Sequence, residues 1–300
     1  RSPLVTEYDL PGLRKTLDRE EIRNRPRGMW RWRELLPVKE ARFRISLGEG
    51  DTPLLKVPRL AEVCGANDLL IKDESLNPTG SFKARGLAAA VSKAVELGVR
   101  DFVIPTAGNA GGALAHYAGR AGCDAHVYMP TDTPLPIQYE VRMAGADLHL
   151  VDGLINDAAR LASTDAARYG WFDMSTFKEP FRVEGKKIMG YEIAEGLGWV
   201  LPDVILYPTG GGTGLVGMWK AFDEMEALGW IDEKRPRMIS VQSEGCAPVV
   251  RAFQTGEEQI EPWTNAATIA LGLRVPAVFA ARLVMRSLYK SNGLAVTVTD

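Results

Sequence analysis

The sequence is poor in cysteine and histidine, with three of each among 300 residues. The cysteines lie far apart and form no CxxC pair: Cys64, Cys123 and Cys246. We therefore expect free thiols in a reducing compartment, rather than a disulfide framework or a zinc site. His116, His126 and His149 show no metal-ligand spacing, so we predict no metal site. His126 and His149 fall in apolar stretches, where a hydrogen-bonded core histidine is the expected environment.

An excess of charge of one sign and long apolar runs are also lacking. The formal net charge is −2, so no basic surface is implied and we expect no nucleic-acid partner. No apolar run approaches the ~18 residues that a membrane span needs, and no signal peptide is visible. We therefore expect no membrane partner and a cytoplasmic location. The sequence has neither a GxSxG elbow nor a GK[ST] motif, which excludes a hydrolase elbow and a Walker-type nucleotide site.

The N-terminal 45 residues are rich in arginine and tryptophan: Arg23, Arg25, Arg27, Arg31 and Arg33, with Trp30 and Trp32. Basic residues interleaved with aromatics can bind single-stranded nucleic acid. The alternative is a helical arm that lies on the domain or on a second subunit, with arginine stems covering apolar surface. Acidic residues in the same segment offset the positive charge, so we favour the arm.

A strand and helix alternation runs through most of the remaining chain. From residue 101 to 170 the pattern predicts strand, helix, strand, helix, strand and helix, with short connections, and a second such run follows residue 180. This alternation is typical of a parallel sheet with helices on both faces. The predicted fold class is α/β.

Residues 77–86, NPTGSFKARG, place a lysine at the start of a helix. The Asn-Pro pair and the glycine predict a turn, and residues 84–97 predict a helix. Ser81 is a candidate N-cap, which puts Lys83 in the first turn. The helix dipole lowers the pKa of an amine there, so Lys83 is a candidate nucleophile toward an aldehyde, and then a general base. The alternative is a surface lysine early in a helix.

Two glycine-rich segments each follow a predicted strand and precede a predicted helix. Residues 104–112, IPTAGNAGG, follow one apolar run, and residues 207–214, YPTGGGTG, follow another. The order of strand, glycine loop and helix directs backbone N–H groups toward an anion. The chain thus combines a lysine of lowered pKa, a small polar loop and an anion-binding loop.

NPTGSFKARG, PTAGNAGG and PTGGGTG, in this order, resemble the pyridoxal-phosphate (PLP) enzymes of fold type II, the tryptophan synthase β-like family. SLGEGDTPL at 46–54 and SEGCAP at 243–248 resemble the threonine synthase branch of that family. The resemblance spans about residues 8–300. It implies two open three-layer α/β lobes with mainly parallel sheets, PLP in the cleft and a homodimer. We expect an N-terminal arm over 1–45, a larger PLP-binding lobe over 46–85 and 180–300, and a smaller mobile lobe over 86–179.

The resemblance also implies roles for individual residues. Lys83 is the catalytic residue, which binds PLP covalently and moves protons at the substrate's α-carbon. The loop that binds the PLP phosphate comprises Gly210, Gly211, Gly212, Thr213 and Gly214. Asn109 corresponds to the asparagine that bonds the ring hydroxyl of the cofactor. The substrate-binding residues expected are Thr106, Ala107, Gly108 and Ala110 for the carboxylate, with Ser81 and Arg85 beside Lys83. Further candidates for the substrate phosphate are Asn77, Lys186, Lys187 and Arg274.

The threonine synthase resemblance implies a small amino-acid substrate, O-phosphohomoserine. Phosphate leaves the γ-carbon and water adds to the β-carbon, which is lyase chemistry in threonine biosynthesis. Ala107 and Ala110 stand where threonine synthases often carry Ser or Thr, and the AGN core also resembles serine and threonine dehydratases. A dehydratase that forms a 2-oxo acid and ammonia therefore remains an alternative. The family's pyridine-nitrogen partner is expected beyond Asp300, in a longer functional protein.

Two further alternatives belong to other classes. Residues 212–217, GTGLVG, spell the GxGxxG motif of NAD(P)-binding Rossmann proteins. An acidic residue should end the next strand about 20 residues later, but Glu244 comes later than that, after a strand that ends in Gln242. A binding module that keeps the fold without covalent chemistry is the last alternative, and the presence of Lys83 argues against it.

Overall fold

The computed structural model describes residues 3–300. Its strands are β1 (Leu54–Lys56), β2 (Leu70–Lys72), β3 (Asp101–Pro105), β4 (Asp124–Pro130), β5 (Asp147–Val151), β6 (Phe172–Asp173), β7 (Val204–Pro208), β8 (Arg237–Ser243) and β9 (Leu294–Val298). Its α-helices are α1 (Leu10–Thr16), α2 (Arg19–Arg23), α3 (Pro58–Cys64), α4 (Lys83–Glu96), α5 (Asn109–Ala121), α6 (Leu135–Met143), α7 (Ile155–Tyr169), α8 (Phe181–Gly196), α9 (Thr213–Ala227), α10 (Pro248–Thr255) and α11 (Ala281–Lys290). Short 3₁₀ helices are Met29–Leu35, Ala41–Phe43, Glu74–Leu76, Pro78–Gly80 and Leu271–Leu273.

The two larger sheets are parallel, which confirms the predicted fold class. One has four strands in the order β5-β4-β3-β6, and the other has three in the order β7-β8-β9. β1 and β2 form a separate antiparallel pair. The four-stranded sheet lies within residues 86–179 and the three-stranded sheet within 180–300. We propose that these two sheets are the centres of the smaller and larger lobes.

The predicted helices and strands between residues 101 and 243 all form. Helix α5 begins at Asn109, although the glycines at 111 and 112 were predicted to lie in a loop. These glycines serve close packing instead. A Cβ on Gly111 would lie 2.6 Å from Thr106 Cγ2, and one on Gly112 would lie 2.2 Å from Glu140 Oε1.

Three helices, α4, α8 and α9, pack closely because glycines lie at their contacts. A Cβ on Gly185 of α8 would lie 1.9 Å from the carbonyl oxygen of Arg85 in α4, which is shorter than real Cβ contacts. A Cβ on Gly217 of α9 would lie 3.0 Å from the backbone nitrogen of Lys187 in α8, which is tighter than most. Glycine therefore allows these backbones to approach. α8 is buried between its neighbours, with 13 of its 16 residues in the interior.

The N-terminal segment packs on the body of the protein, as the arm interpretation predicts. The Trp32 side chain is fully buried, and its ring lies 5.1 Å from that of Tyr191 in α8. Arg31 forms ion pairs with Asp51, at 2.9 Å, and with Glu195. Among residues 3–300, no helix is both long enough and apolar enough to cross a bilayer.

Candidate active site

The starts of α4 and α9 and one side of α8 meet at a single aromatic ring. The Nζ atoms of Lys83 and Lys186 lie 4.3 Å and 4.4 Å from the centroid of the Phe82 ring. Lys186 Nζ also donates a hydrogen bond of 2.5 Å to Thr213 Oγ1, at the first residue of α9. Lys83 is thus connected to the predicted glycine loop by a chain of contacts: the Phe82 ring contacts both lysines, and Lys186 bonds Thr213.

Lys83 lies at the first position of α4, as predicted, although the cap differs. The N-cap is Phe82, and the hydroxyl of Ser81 accepts a 3.4 Å bond from the Lys83 N–H. Burial lowers the pKa of the Lys83 amine to about 8, and the positive charge of Arg182 acts in the same direction. The lowered pKa is as predicted, but its causes are burial and a neighbouring cation that the sequence did not reveal.

Positive charge exceeds negative charge around Lys83. Arg182 and Lys186 are buried, and burial lowers the pKa of both. Arg182 donates to the Met174 carbonyl at 2.7 Å, but its Nε has no hydrogen-bond partner in the described part of the chain. Burial raises the pKa of Glu179 to about 7 against the influence of Arg182, so this nearby carboxyl offsets the cations only in part. An anion bound here would be stabilised by the Arg182 guanidinium and by the N–H groups of the two lysines.

The loop from Gly210 to Gly214 is closely packed and leads into a helix. Gly212 has φ +78°, and a Cβ there would lie 2.3 Å from Val284 Cγ2. A Cβ on Gly214 would lie 2.0 Å from the Tyr207 hydroxyl oxygen. The loop leads into the N-terminus of α9, where unpaired backbone N–H groups attract anions. With the Lys186 amino group bonded to Thr213, this donor set fits a phosphate monoester such as that of PLP.

The second predicted loop, from Thr106 to Ala110, follows the carboxyl end of β3. The Thr106 hydroxyl accepts a 3.1 Å bond from the Gly108 N–H and lies 3.2 Å from the Gly108 carbonyl, so it holds the loop's own shape. Asn109 is exposed at the first position of α5. Ala107, Gly108 and Ala110 are partly exposed, which leaves their surfaces accessible to a ligand.

Arg85 does not fit its predicted role as a substrate ligand. Its guanidinium is fully buried and bonds two carboxylates, Glu74 at 2.6 Å and 2.8 Å and Glu192 at 2.7 Å and 2.6 Å. A fifth bond, of 3.1 Å, reaches Thr52 Oγ1. Because these carboxylates neutralise its charge, Arg85 is a structural cation that joins α4, α8 and the segment after β2.

Of the remaining candidate ligands for the substrate phosphate, two are also bonded to carboxylates and one is not. Asn77 Nδ2 donates to Glu74 at 2.9 Å, and Lys187 is buried between Glu184 at 2.7 Å and Glu224 at 2.9 Å. Arg274 is exposed and has no ion pair within residues 3–300. It lies in the segment that covers the glycine loop, since a Cβ on Gly210 would lie 3.5 Å from Cα of the preceding residue, Leu273.

Sequence reasoning missed Arg182 and Glu179 as parts of the site. For Arg182 the only signal was the composition of α8, in which charged residues lie on every face, and Glu179 lies just before that helix. A helix of this composition is expected at the surface, because exposed charges are the ordinary case. Its burial follows from the glycine contacts with α4 and α9, which a single sequence does not reveal.

Comparisons with known proteins agree with this site. Residues 45–300 match the family described as pyridoxal-phosphate dependent enzyme. The chain is 35% identical over 294 residues to the threonine synthase of Methanocaldococcus jannaschii, a match that covers 98% of this chain and 72% of the relative. It is 34% identical to the threonine synthase of Methanosarcina acetivorans, over 98% of this chain and 71% of the relative. A solved structure of threonine deaminase, from the source abbreviated T.th., is 26% identical, with a TM-score of 0.68, over 82% of this chain and 76% of that chain.

Proposed function

This chain belongs to the family of pyridoxal-phosphate dependent enzymes, and we propose that its reaction is that of the threonine synthases. It is a lyase in which O-phosphohomoserine loses phosphate from its γ-carbon and gains water at its β-carbon to give L-threonine. The observation that carries the proposal is identity of 34–35% to threonine synthases along 98% of this chain. Because the likeness runs through 98% of the chain, it supports a shared reaction as well as a shared cofactor.

The residues of the site suit the cofactor. When bound, PLP supplies an electron sink for negative charge at the substrate's α-carbon. The amine of Lys83, with a pKa of about 8, is neutral in a substantial fraction of molecules near neutral pH, as covalent attachment and proton transfer require. The N-terminus of α9, Thr213 and Lys186 would hold the phosphate, since the Lys186 side chain bonds Thr213 at the start of that helix. Asn109 is the proposed donor to the cofactor's ring hydroxyl.

The phosphate of O-phosphohomoserine is bound in addition to that of PLP, and it needs a cation of its own. Arg274 is the proposed ligand, because it is exposed, lies beside the glycine loop and forms no ion pair with any described residue. Arg182 adds positive charge from within the site, since no partner in residues 3–300 bonds its Nε. Ser81 and the loop from Thr106 to Ala110 are the proposed ligands of the rest of the substrate.

A product assay tests the proposal. With PLP present, the purified protein is expected to release phosphate and threonine from O-phosphohomoserine in equal amounts, and to form little 2-oxo acid from threonine. The reverse pattern, 2-oxo acid and ammonia from threonine without phosphate release, would replace threonine synthase by a dehydratase. Arg274→Gln is expected to raise KM for O-phosphohomoserine about 10-fold or more, because a hydrogen bond to a charged group is worth about 1.5–3 kcal/mol. Arg282→Gln, at another exposed arginine, is the matched control.

The dehydratase remains the second candidate for one specific reason. Ala107 and Ala110 remove hydroxyl donors from the loop proposed to hold the substrate carboxylate, and the solved threonine deaminase shares the fold. The Rossmann alternative is excluded, because the GxGxxG glycines belong to a chain of the PLP-dependent family. A homodimer in the cytoplasm is also proposed, on the family resemblance.

A further inference from the structure

A second cluster of polar side chains lies on the four-stranded sheet, outside the candidate active site. His126 belongs to β4, and Asp147 and His149 belong to the adjacent edge strand β5. The parallel register sets His126 opposite Asp147 and Tyr128 opposite His149. Because residues two apart on a strand point to the same face, all four side chains share one face of the sheet.

Distances between the polar atoms of this cluster are similar to those between two ligands of one metal ion. Asp147 Oδ2 lies 3.4 Å from His126 Nδ1 and 3.0 Å from His149 Nε2, and one ligand atom from each residue lies within 4.8 Å of the others. Two ligands on a tetrahedral Zn²⁺, with bonds of about 2.0–2.1 Å, are separated by roughly 3.3 Å. Both separations from Asp147 are therefore close to those between ligands of one ion, and the two histidine nitrogens lie no more than 4.8 Å apart.

An imidazole nitrogen of this cluster lacks the hydrogen bond that burial normally requires. His149 Nε2 is buried and has no hydrogen-bond partner among residues 3–300, although Asp147 Oδ2 is only 3.0 Å away. The carboxylate is close to the nitrogen but is not aligned for a hydrogen bond. A buried imidazole nitrogen without a hydrogen bond, next to a carboxylate, is an arrangement that a cation would satisfy.

Aromatic stacking fixes both imidazole rings. The ring of Trp171 lies 3.6 Å from that of His126, at 10° between planes, and the ring of Tyr128 lies 4.3 Å from that of His149, at 12°. The Tyr128 hydroxyl in turn donates to Asp165 at 2.5 Å. Ligands held in one orientation lose little freedom when an ion binds, which favours binding.

The surrounding cavity suits a cation. It has a volume of about 430 Å³, and two carboxylates line it, Asp147 and Asp165. No lysine or arginine is among the described residues that line it. The Asp147 side chain is 62% exposed, which leaves space for water to complete the coordination.

We propose that His126, Asp147 and His149 form a binding site for a divalent transition metal of the zinc class. Two imidazole nitrogens and one carboxylate are ligands that Zn²⁺ prefers, whereas Mg²⁺ and Ca²⁺ prefer oxygen alone. The histidines are 23 residues apart and are joined only by the strand register, so sequence spacing did not indicate the site. The site is independent of the proposed reaction.

Titration of the purified holoenzyme with Zn²⁺ alone tests the site. One ion per chain is expected to bind, and X-ray absorption is expected to show nitrogen and oxygen ligands near ~2.0–2.1 Å without sulfur at ~2.3 Å. His149→Gln and Asp147→Asn are each expected to weaken binding at least ~10-fold, since removing even an outer partner of a ligand costs about 10–100-fold. Asp147 is largely exposed, so its substitution leaves the fold intact.

The controls remove other possible ligands. His116→Gln changes the third histidine, on α5, and Cys64→Ser removes the exposed thiol. Both variants are expected to bind Zn²⁺ as the parent does. The proposal fails if no saturable binding occurs, if His149→Gln and Asp147→Asn bind with parental affinity, or if binding is lost with Cys64→Ser and sulfur appears in the ligand shell.

Discussion

Two lysines of lowered pKa contact one ring, and their partners distinguish their roles. Lys186 Nζ bonds Thr213 at the glycine loop, whereas none of the described residues forms a hydrogen bond with Lys83 Nζ. Lys186 is therefore positioned to bind an anion and Lys83 to react. The two amines lie 4.3 Å and 4.4 Å from the centre of the Phe82 ring, as in cation–π contacts.

Replacement of Lys186 by Met is expected to weaken PLP binding about 10- to 100-fold. The reason is the loss of a charge-assisted hydrogen bond to the phosphate, worth about 1.5–3 kcal/mol. Equilibrium titration of the apoprotein with PLP measures it. Lys178→Met, at a partly exposed lysine whose ion-pair distance is 3.6 Å, is the control and should bind PLP normally. Equal affinity in the Lys186 variant would remove this lysine from the phosphate site.

The rate at which PLP attaches to the apoprotein is expected to rise with pH through about 8. Only the neutral amine of Lys83 reacts, and burial together with Arg182 sets its pKa at about 8. Arg182→Met removes a positive charge that lowers this pKa, so the midpoint of the profile should move to higher pH. Stopped-flow absorbance at several pH values measures both midpoints. A midpoint that stays in place in a folded variant would show that Arg182 does not act on Lys83.

Individual residues of the site were predictable where local sequence determines them. Lys83 and the glycines of 210–214 follow from turn and helix signals around them. Arg85 was misassigned because Glu192, one of the carboxylates that neutralise it, is more than 100 residues away. Arg182 was missed because a charged residue in sequence looks solvated, and its burial depends on helix packing.

At the scale of elements, close packing of α4, α8 and α9 forms the site. The glycine contacts let α8 lie against both neighbours, which brings Lys186 within reach of Thr213. The helix positions were largely predictable, because apolar runs and glycine turns mark them. The distance between the packed helices was not predictable, since it depends on which glycine of one helix lies against the backbone of the next. α10, α11 and β9 were not predicted from the sequence at all.

Gly185→Ala is expected to destabilise the protein by about 1–3 kcal/mol or more, as overpacking does, and to weaken PLP binding. A Cβ there would lie 1.9 Å from the Arg85 carbonyl oxygen, so α4 and α8 must move apart. Gly196→Ala, in the last turn of α8, is the matched control. Its Cβ would meet only Leu54 Cδ2, at 3.3 Å, so helix propensity should make it neutral or stabilising by up to about 1 kcal/mol. Urea unfolding of both variants measures the difference, and equal stabilities would contradict the packing account.

At the scale of the whole molecule, one ion network ties distant segments together. Arg85 in α4 bonds Glu74 after β2 and Glu192 in α8, and Lys72 of β2 bonds the same Glu192 at 2.7 Å. Burial alone would raise the pKa of Glu192, but Arg85 and Lys72 lower it to about 2. Because this folded-state pKa lies below the unfolded value, the network stabilises the fold above about pH 4.5, and its contribution declines as pH falls toward 2.

Lys72→Met is expected to lower stability at pH 7 by about 1–3 kcal/mol, the cost of leaving a charged partner without one of its bonds. The deficit should shrink as pH falls from about 4.5 toward 2, because the parent also loses its Glu192 contribution there. Urea unfolding across this range measures it. Lys234→Met, at an exposed pair with Asp203, is the control and should change nothing measurable. A deficit that is constant with pH would show that Glu192 does not mediate the effect.

The most direct test of the account is the position of the cofactor on the chain. The holoenzyme is reduced with borohydride, which fixes the covalent link, and its peptides are mapped by mass. The account predicts a visible absorption band before reduction and the cofactor's mass on the peptide that contains Lys83, with neither in Lys83→Ala. Cofactor mass on the peptide with Lys186, or no band and no label after PLP is added, would contradict the assignment of this cluster as a PLP active site.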